Sequence, residues 1–401
     1  MPGDTVLTLA WLEKHVLERN PTLAAMRAAR EESQAQARQA GAIEDPMLDL
    51  MVAPRSLASG AVDPAYRVGV SQRVPLFGQR GLRRQAAAAE AEAIGYDLET
   101  ARLDLLREAR VAFYDDYRTA RSQETNRELV GLLRRFHRVA LAKYASGAVA
   151  QGDPLQAEVE LAMLRHQSVV LERQRIVVRA QLKALLHAPS ESELPAPPRT
   201  LPRPDSLAAE NPDEIRRHAP WPELRAAESR IEARRSRLML ARRQRLPEFT
   251  LGIAYDRFWS EPELRGTVGL SFNLPIHRGR LGATEREARA GLARAEHERD
   301  AVRDGIEKEL ATASARFREA GHEVHIMREE VVPATERALG AVVSAYEANR
   351  GDFLALLTAT RDLARARLGL HEALAMLHAA HADLLRAAAA DAPVPAPEEL
   401  P

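Results

Sequence analysis

The sequence contains no cysteine, which excludes disulfides, thiolate metal sites, cysteine nucleophiles and, in the sequence as it stands, a lipidated N-terminal cysteine. Aromatic residues make up only 4%, too few for a broad aromatic core. There is no net charge, because lysine plus arginine and aspartate plus glutamate each number 57, so nothing advertises nucleic acid or a polyanionic partner. No run of about 18 apolar residues occurs, which excludes a transmembrane helix and leaves a membrane β-barrel open. The opening M-P-G-D-T-V-L-T-L-A-W lacks the basic region, apolar core and small-residue cleavage site of a signal peptide. A cytosolic protein, or an exported one whose signal is missing from this sequence, is expected. No HExxH, P-loop, GxSxG or paired-carboxylate constellation stands out, so neither catalysis nor a cofactor is expected.

What is present is a repeat. V-G-V-S-Q-R-V-P-L-F-G-Q-R begins at Val68, and V-G-L-S-F-N-L-P-I-H-R-G-R begins at Val268, each ahead of a long run rich in alanine, arginine, leucine and glutamate. Such composition belongs to long helices or coiled coils. From Leu76 to Asp153 there is no proline, and Ile94, Leu98, Ala101, Leu105, Ala109 and Ala112 recur at steps of three and four, a helical stripe. About 65 helical residues would extend on the order of 100 Å. A second helical run follows His277 to about Tyr346, with a kink or break expected at Pro333. Both runs end in loop signals, Ser146–Pro154 and Asn349–Asp352, followed by return helices. In the second return helix Leu363, Leu370, Leu377 and Leu384 fall seven apart, with Ala366, Ala373 and Ala380 beside them, a heptad seam with one small side. Shorter helices precede the strands at about Pro21 to Ala42 and Pro222 to Leu246. Nine prolines lie between Pro189 and Pro222. The organisation expected is a first repeat over 1–188, a proline-rich linker over 189–221, a second repeat over 222–390 and a proline-rich tail over 391–401.

Four segments follow period two: 46–54, 66–74, 248–257 and 267–274. On one face stand Leu48, Leu50 and Val52; Tyr66, Val68 and Val70; Phe249, Leu251, Ile253 and Tyr255; and Val268, Leu270 and Phe272. The other face is small, polar or charged. Alternation alone fits a soluble hairpin packed on helices as well as a barrel with lipid outside and water inside. The barrel is favoured because seven of the 18 aromatics gather near these strands, as in the girdles at a membrane interface. Four strands cannot close a membrane barrel, whose minimum is about eight, so several chains would have to pool their strands.

The order helix, strand, strand, long helix, loop, return helix, written twice, resembles the TolC-like outer-membrane efflux proteins over nearly the whole chain. The residues that carry the resemblance are L-T-L-A-W-L-E-K-H-V-L-E-R-N-P-T-L from Leu7, the strand exits Val74–Arg80 and Leu274–Ile276, Y-A-S-G-A-V-A-Q-G-D-P-L from Tyr144, E-E-V-V-P-A-T-E-R-A from Glu329, and Y-E-A-N-R-G-D-F-L-A-L-L from Tyr346. F-G-Q-R-G-L-R-R is most similar to members serving heavy-metal pumps. The resemblance implies a mainly α fold with a small β part. Long antiparallel helical hairpins would form a trimeric α-barrel, and four strands per chain would enter a shared twelve-stranded transmembrane β-barrel. It further implies a homotrimer in the outer membrane of a Gram-negative bacterium, reaching into the periplasm and in contact with outer-membrane lipid. The duct would passively export substrate, heavy-metal cations being favoured over drugs or organic compounds. An inner-membrane pump of the resistance-nodulation-division (RND) type would deliver that substrate through a periplasmic adaptor, the membrane fusion protein. The rival readings are a soluble coiled-coil scaffold and the adaptor itself, which expects one hairpin between glycine-rich β halves rather than two repeats.

By the same resemblance the loops form the periplasmic tip. Ser146, Gly147, Ala148, Val149 and Ala150, with Ala348, Asn349 and Gly351, would meet the adaptor, and Tyr144, Tyr346, Asp153, Asp352 and Arg350 would form the gate. Asp153 lies nine residues after Tyr144, where the family commonly places an acidic residue, whereas Ala355 stands nine after Tyr346, so a second acid must come from Asp352. Aspartates ringed at a narrow mouth attract cations, and Arg350 would close it through ion pairs. Both aspartates also suit helix N-caps. The spacings His322/His325 and His378/His381 would allow a shared metal, but on long charged helices they read as solvated surface, and no metal site is expected. The Arg80, Arg83 and Arg84 cluster reads as a solvated helix face, since it lacks a phosphate-cradling glycine loop and interleaved aromatics.

Overall fold

The computed structural model describes residues 6–58, 63–202, 204, 219–348 and 350–392. Helices α1 (Leu9–Arg19) and α2 (Pro21–Ala40) lead into β1 (Met47–Val52), a short α3 (Pro54–Ala58) and β2 (Tyr66–Val74). There follow α4 (Gln79–Ala145), 67 residues long, and the return helix α5 (Gly152–Leu185). The second half repeats the order with α6 (Pro222–Arg243), β3 (Phe249–Asp256), a 3-10 turn (Pro262–Leu264), β4 (Gly266–Phe272), α7 (Arg278–Ile326), α8 (Val332–Glu347) and α9 (Phe353–Ala387). The expected mainly helical chain with one small antiparallel sheet is what forms. Among the described residues no helix is long and apolar enough to cross a membrane. Of the linker, 203 and 205–218 lie outside the described residues, as does the tail from 393.

Contacts divide the chain into two compact units. The first comprises 1–24, 99–221 and 305–401. In it Thr8 caps α1 by accepting the Trp11 N–H at 3.4 Å. Asn20 ends α1 and starts α2: its Oδ1 accepts the Thr22 N–H at 2.9 Å, its Nδ2 donates to the Leu185 carbonyl at 3.0 Å, and Pro21 fills the first helical position. That position loses nothing from proline's missing N–H. The leucine seam of α9 packs as its spacing predicts: Ala373, Leu377 and Ala380 are buried with Ala320 and Val324 of α7.

His378 corrects the solvated-surface reading. It is 4% exposed and stacks on Tyr114 at 4.6 Å, while His381 lies 5.5 Å from Phe317. Burial lowers the His378 pKa to about 4, so the ring packs as a neutral aromatic. His322 and His325 do face solvent.

The expected break near Pro333 is a π-turn, Met327–Val331, directly before α8. Proline lacks an N–H and crowds the carbonyl four residues back, and one widened turn absorbs both. Thr335 Oγ1 then donates to the Val331 and Val332 carbonyls at 3.0 and 2.9 Å.

Two arginines, Arg110 buried and Arg179 half-buried, brace this unit. Arg110 donates to Glu13 at 2.6 Å and to Asp391 at 2.7 Å. Burial opposes its charge, but these two carboxylates more than compensate and raise its pKa. Arg179 meets Asp116 at 3.3 Å and donates to the Leu194 and Pro195 carbonyls at 3.0 and 2.9 Å, fastening the start of the linker. Asp116 is fully buried, and burial raises its pKa against the pull of Arg179.

The second unit comprises 25–98 and 222–304 and holds the whole sheet, in the order β1-β2-β3-β4, every neighbour antiparallel. Leu50 pairs with Val68, Val68 with Tyr255, Val70 with Ile253, and Ile253 with Val268. Since partners across a sheet share a face, this register sums four separate alternations into one apolar surface. Gly69 faces Ala254, where an added Cβ would lie 3.0 Å from the Ala254 Cβ. The strand exits that look alike in sequence differ in conformation: Phe77 and Gly78 adopt left-handed φ of 60° and 69°, whereas Gly279 sits inside the first turn of α7 with ordinary φ.

Candidate functional site

Two surfaces carry the chemistry, one in each unit. On the sheet, every residue expected to face lipid lies on the same face. Leu48, Leu50 and Val52 of β1 are exposed, as are Val68 and Val70 of β2, Leu251, Ile253 and Tyr255 of β3, and Val268, Leu270 and Phe272 of β4; Tyr66 and Phe249 are half-buried. Ile253 at 65% and Val268 at 85% exposure have no reason to be branched aliphatics on a water-facing surface. The opposite face carries Asp49, Arg67, Gly69, Ser71, Thr250, Gly252, Thr267 and Ser271, and Ser71 Oγ donates to Asp49 at 2.9 Å. Aromatics collect at both ends of the apolar face. Phe77, Phe249 and Phe272 lie in sequence of contact at 6.4 and 5.8 Å at one end, and Tyr66, Tyr255, Phe258 and Trp259 mark the other. The six-residue rise from Phe249 to Tyr255 corresponds to about 20 Å.

In the first unit, α4 ends in a Schellman turn. The Ala148 N–H returns to Lys143 O at 2.8 Å and the Gly147 N–H to Tyr144 O at 2.9 Å, with Gly147 at φ 75°. Glycine is needed there because a side chain strains the left-handed conformation. Ser146 donates to Lys143 O at 2.9 Å, and Ser146, Ala148 and Ala150 are exposed, with Val149 half-buried. The α8–α9 loop is tighter: the Arg350 N–H returns to Ala345 O at 2.9 Å, and a Cβ on Gly351 would lie 2.8 Å from the Tyr346 nitrogen. Ala348 and Arg350 are exposed, while Asn349 lies outside the described residues.

The structure brings the two loops together around Tyr346. Its ring, 3% exposed, packs on Phe353 at 5.4 Å within a cluster that includes Leu133, Phe136, Leu161 and Leu356. Tyr144, its counterpart in sequence, is 43% exposed; the two tyrosines are not equivalent. Burial, with the charges of Asp153 and Asp352, pushes the Tyr346 pKa up to about 12, and the hydroxyl finds no hydrogen-bond partner among the described residues. Asp153 is raised by burial and then by Asp352, so the Asp352 charge reaches both Asp153 and the Tyr346 phenol. The N-cap expectation is corrected for Asp153, which sits in the first turn of α5 behind Gln151, and is half met for Asp352, which holds the N-cap position of α9 without a side-chain cap bond.

Sequence reasoning missed Lys143. Its ammonium donates to the Tyr346 carbonyl and lies 4.2 Å from the centre of the Tyr346 ring. Nothing local signals this, because the partner is 203 residues away. Lys143→Met takes the ammonium away from both that carbonyl and the ring, a loss of about 1.5 kcal/mol. Hydrogen exchange over 344–353 should accelerate roughly tenfold with the global melting temperature little changed, and unaltered exchange there would remove Lys143 from the latch.

The chain thus carries an exposed apolar four-stranded face with aromatic ends, and long helices written twice. The family profile described as outer membrane efflux protein matches residues 12–187 and 218–390. The chain belongs to the outer membrane efflux protein family. Among its relatives, the cobalt-zinc-cadmium resistance protein CzcC of Cupriavidus metallidurans is 22% identical over 304 residues, covering 74% of this chain and 70% of that protein. The outer-membrane channel OprN superposes with a TM-score of 0.82 at 19% identity, covering 95% of this chain and 89% of OprN. CusC superposes at 0.78 with 15% identity, covering 95% and 91%. This efflux protein is therefore an outer-membrane channel component and not an enzyme, which decides against the soluble scaffold.

Proposed function

We propose that three copies of this efflux protein close one duct, each supplying four strands to a twelve-stranded barrel and two helical hairpins to a periplasmic tunnel. The observation that carries this reading is the sheet itself. It presents an apolar face, interrupted at Gln72 opposite Leu251, and ends in two strands, β1 and β4, that each have a paired neighbour on one side only. Unpaired backbone groups are not tolerated in hydrocarbon, and four strands are too few to close. Pairing β1 of one copy with β4 of the next satisfies both, with Asp49, Ser71, Thr250 and Ser271 turned to the water-filled interior.

In this reading the loops around Tyr346 are the periplasmic tip. The Ser146–Ala150 turn, exposed except at Val149, and the 348–351 loop meet a periplasmic adaptor, and an inner-membrane pump of the RND type supplies the energy. Asp153 and Asp352, repeated by symmetry, line the mouth with negative charge, and Arg350 pairs across protomers to hold it shut until the adaptor offers competing contacts. Heavy-metal cations are the proposed cargo, supported by the relative named for cobalt, zinc and cadmium resistance and by an acidic mouth that favours cations.

The absence of native cysteine makes the test direct. Single cysteines placed on β1 (Asp49→Cys or Met51→Cys) together with β4 (Thr267→Cys or Ser271→Cys) are oxidised in the exported protein. A covalent trimer in the outer-membrane fraction is expected from at least one pairing. Exported protein that stays out of the membrane, or that cross-links only to dimers, defeats the reading. Metal sensitivity of a deletion strain, compared with its sensitivity to organic toxicants, then tests the cargo.

A further inference from the structure

At the helix end of the sheet the apolar face does not stop at the last strand residue. Leu76 and Phe77 after β2, and Leu274 and Ile276 after β4, remain exposed at 42, 47, 68 and 71%. Each pair is followed within a few residues by arginines: Arg80 and Arg84 in the first turns of α4, Arg278 and Arg280 in the first turn of α7. All four are exposed, and among the described residues none has a carboxylate within ion-pair distance. Neighbouring arginines behave differently. Arg83 reaches Glu44 and Glu248 at 3.8 and 3.9 Å, and Arg242 and Arg245 both reach Glu285. The unit thus neutralises part of its arginine at this rim and leaves a defined set free.

The free set is placed against the grain of helix electrostatics. The N-terminus of a helix is its positive end and favours acidic residues, yet neither α4 nor α7 has an acidic residue in its first turn. Cations stacked on positive helix ends, one step beyond an apolar surface, fit an anion located at the edge of hydrocarbon. At the opposite rim Arg257 faces Asp63 at 3.9 Å, and Glu261 and Glu263 accompany Arg265, so that rim shows no such excess.

We infer that Arg80, Arg84, Arg278 and Arg280 form a collar that binds the phosphates of anionic phospholipid in the leaflet on the helix side of the barrel. Exposed Leu76, Phe77, Leu274 and Ile276 enter the acyl boundary while the guanidinium groups reach the headgroups. Arginine suits this role because its planar fork matches phosphate oxygens. The collar rests on the membrane reading of the sheet, and it adds a lipid preference and a side.

The test reconstitutes the full chain in phosphatidylcholine bilayers containing a trace of spin-labelled phosphatidylglycerol or spin-labelled phosphatidylcholine, and reads the immobilised lipid fraction. Phosphatidylglycerol should associate more strongly than phosphatidylcholine, by roughly fivefold for each arginine engaged, and the preference should shrink with salt. In the variant carrying Arg80→Gln, Arg84→Gln, Arg278→Gln and Arg280→Gln the preference should fall towards unity, while the same four changed to lysine should keep most of it. Unchanged far-ultraviolet circular dichroism checks that the variants fold. Equal association of both lipids with the parent chain, or an undiminished preference in the glutamine variant, overturns the collar. No immobilised lipid of either kind overturns the membrane reading beneath it.

Discussion

Arg110→Met lowers the stability of the first unit by about 3 kcal/mol, the loss expected when one partner of a buried ionic cluster is removed. Arg110 is 8% exposed and is hydrogen-bonded to both Glu13, on α1, and Asp391, just past α9. Arg102 adds a bond to the Asp391 carbonyl at 2.8 Å. Methionine fills a similar volume, so the effect isolates charge from packing: Glu13 and Asp391 both lose the guanidinium that pairs with them. Thermal unfolding of the detergent-solubilised protein measures it. Arg107→Met serves as the comparison, because Arg107 meets Asp383 at 2.5 Å but is 47% exposed, and an exposed pair contributes 1 kcal/mol or less, about the usual limit. Equal losses in the two variants would mean that the Arg110 cluster is no more than surface decoration.

The second large effect is functional. Replacing Asp153 and Asp352 together by asparagine removes the negative charge proposed to line the mouth, and the cation preference of the reconstituted duct should fall on the order of tenfold. Reversal potentials across a planar bilayer under a salt gradient read this out. The pH dependence has a definite sign. Burial and the charge of Asp352 raise the Asp153 pKa, so Asp153 takes up its proton before an ordinary carboxylate as pH falls towards about 4. Cation preference should therefore fade early on acidification in the parent and show no such step in the double variant. By linkage, the folded tip binds this proton more tightly than the unfolded chain does. Its contribution is fully present below the ordinary carboxylate pKa and is lost as pH rises through the raised value, so mild acid should tighten the tip. A selectivity indifferent to both substitutions would take the aspartates out of the mouth.

Much of the fold was legible because its signals are local and periodic. The heptad of α9 from Leu363 to Leu384, the alternation of Leu48, Leu50 and Val52, and the proline at 333 each fix a structure within one or two turns of chain. A repeat 200 residues apart then needs no long-range reasoning to be read as two similar staves. Even the misreadings followed this rule. The pair His378 and His381 read as solvated because the spacing says helix but not which face is covered, and Tyr114, brought from α4, stacks on His378.

By itself, then, the sequence determined the order of the strands and long helices, the amphipathic faces, the break before α8 and the family, all properties carried by neighbours along the chain. Tertiary structure alone decided which face meets which. It aligned four strands so that their apolar sides sum to one surface, and it paired some rim arginines with Glu44, Glu248 and Glu285 while leaving others free. It brought Lys143 onto Tyr346, and it separated a buried Tyr346 from an exposed Tyr144. The physical reason is that burial and charge pairing depend on distance in space, and the partners involved stand up to hundreds of residues apart in a chain whose local pattern is the same on both sides of the repeat.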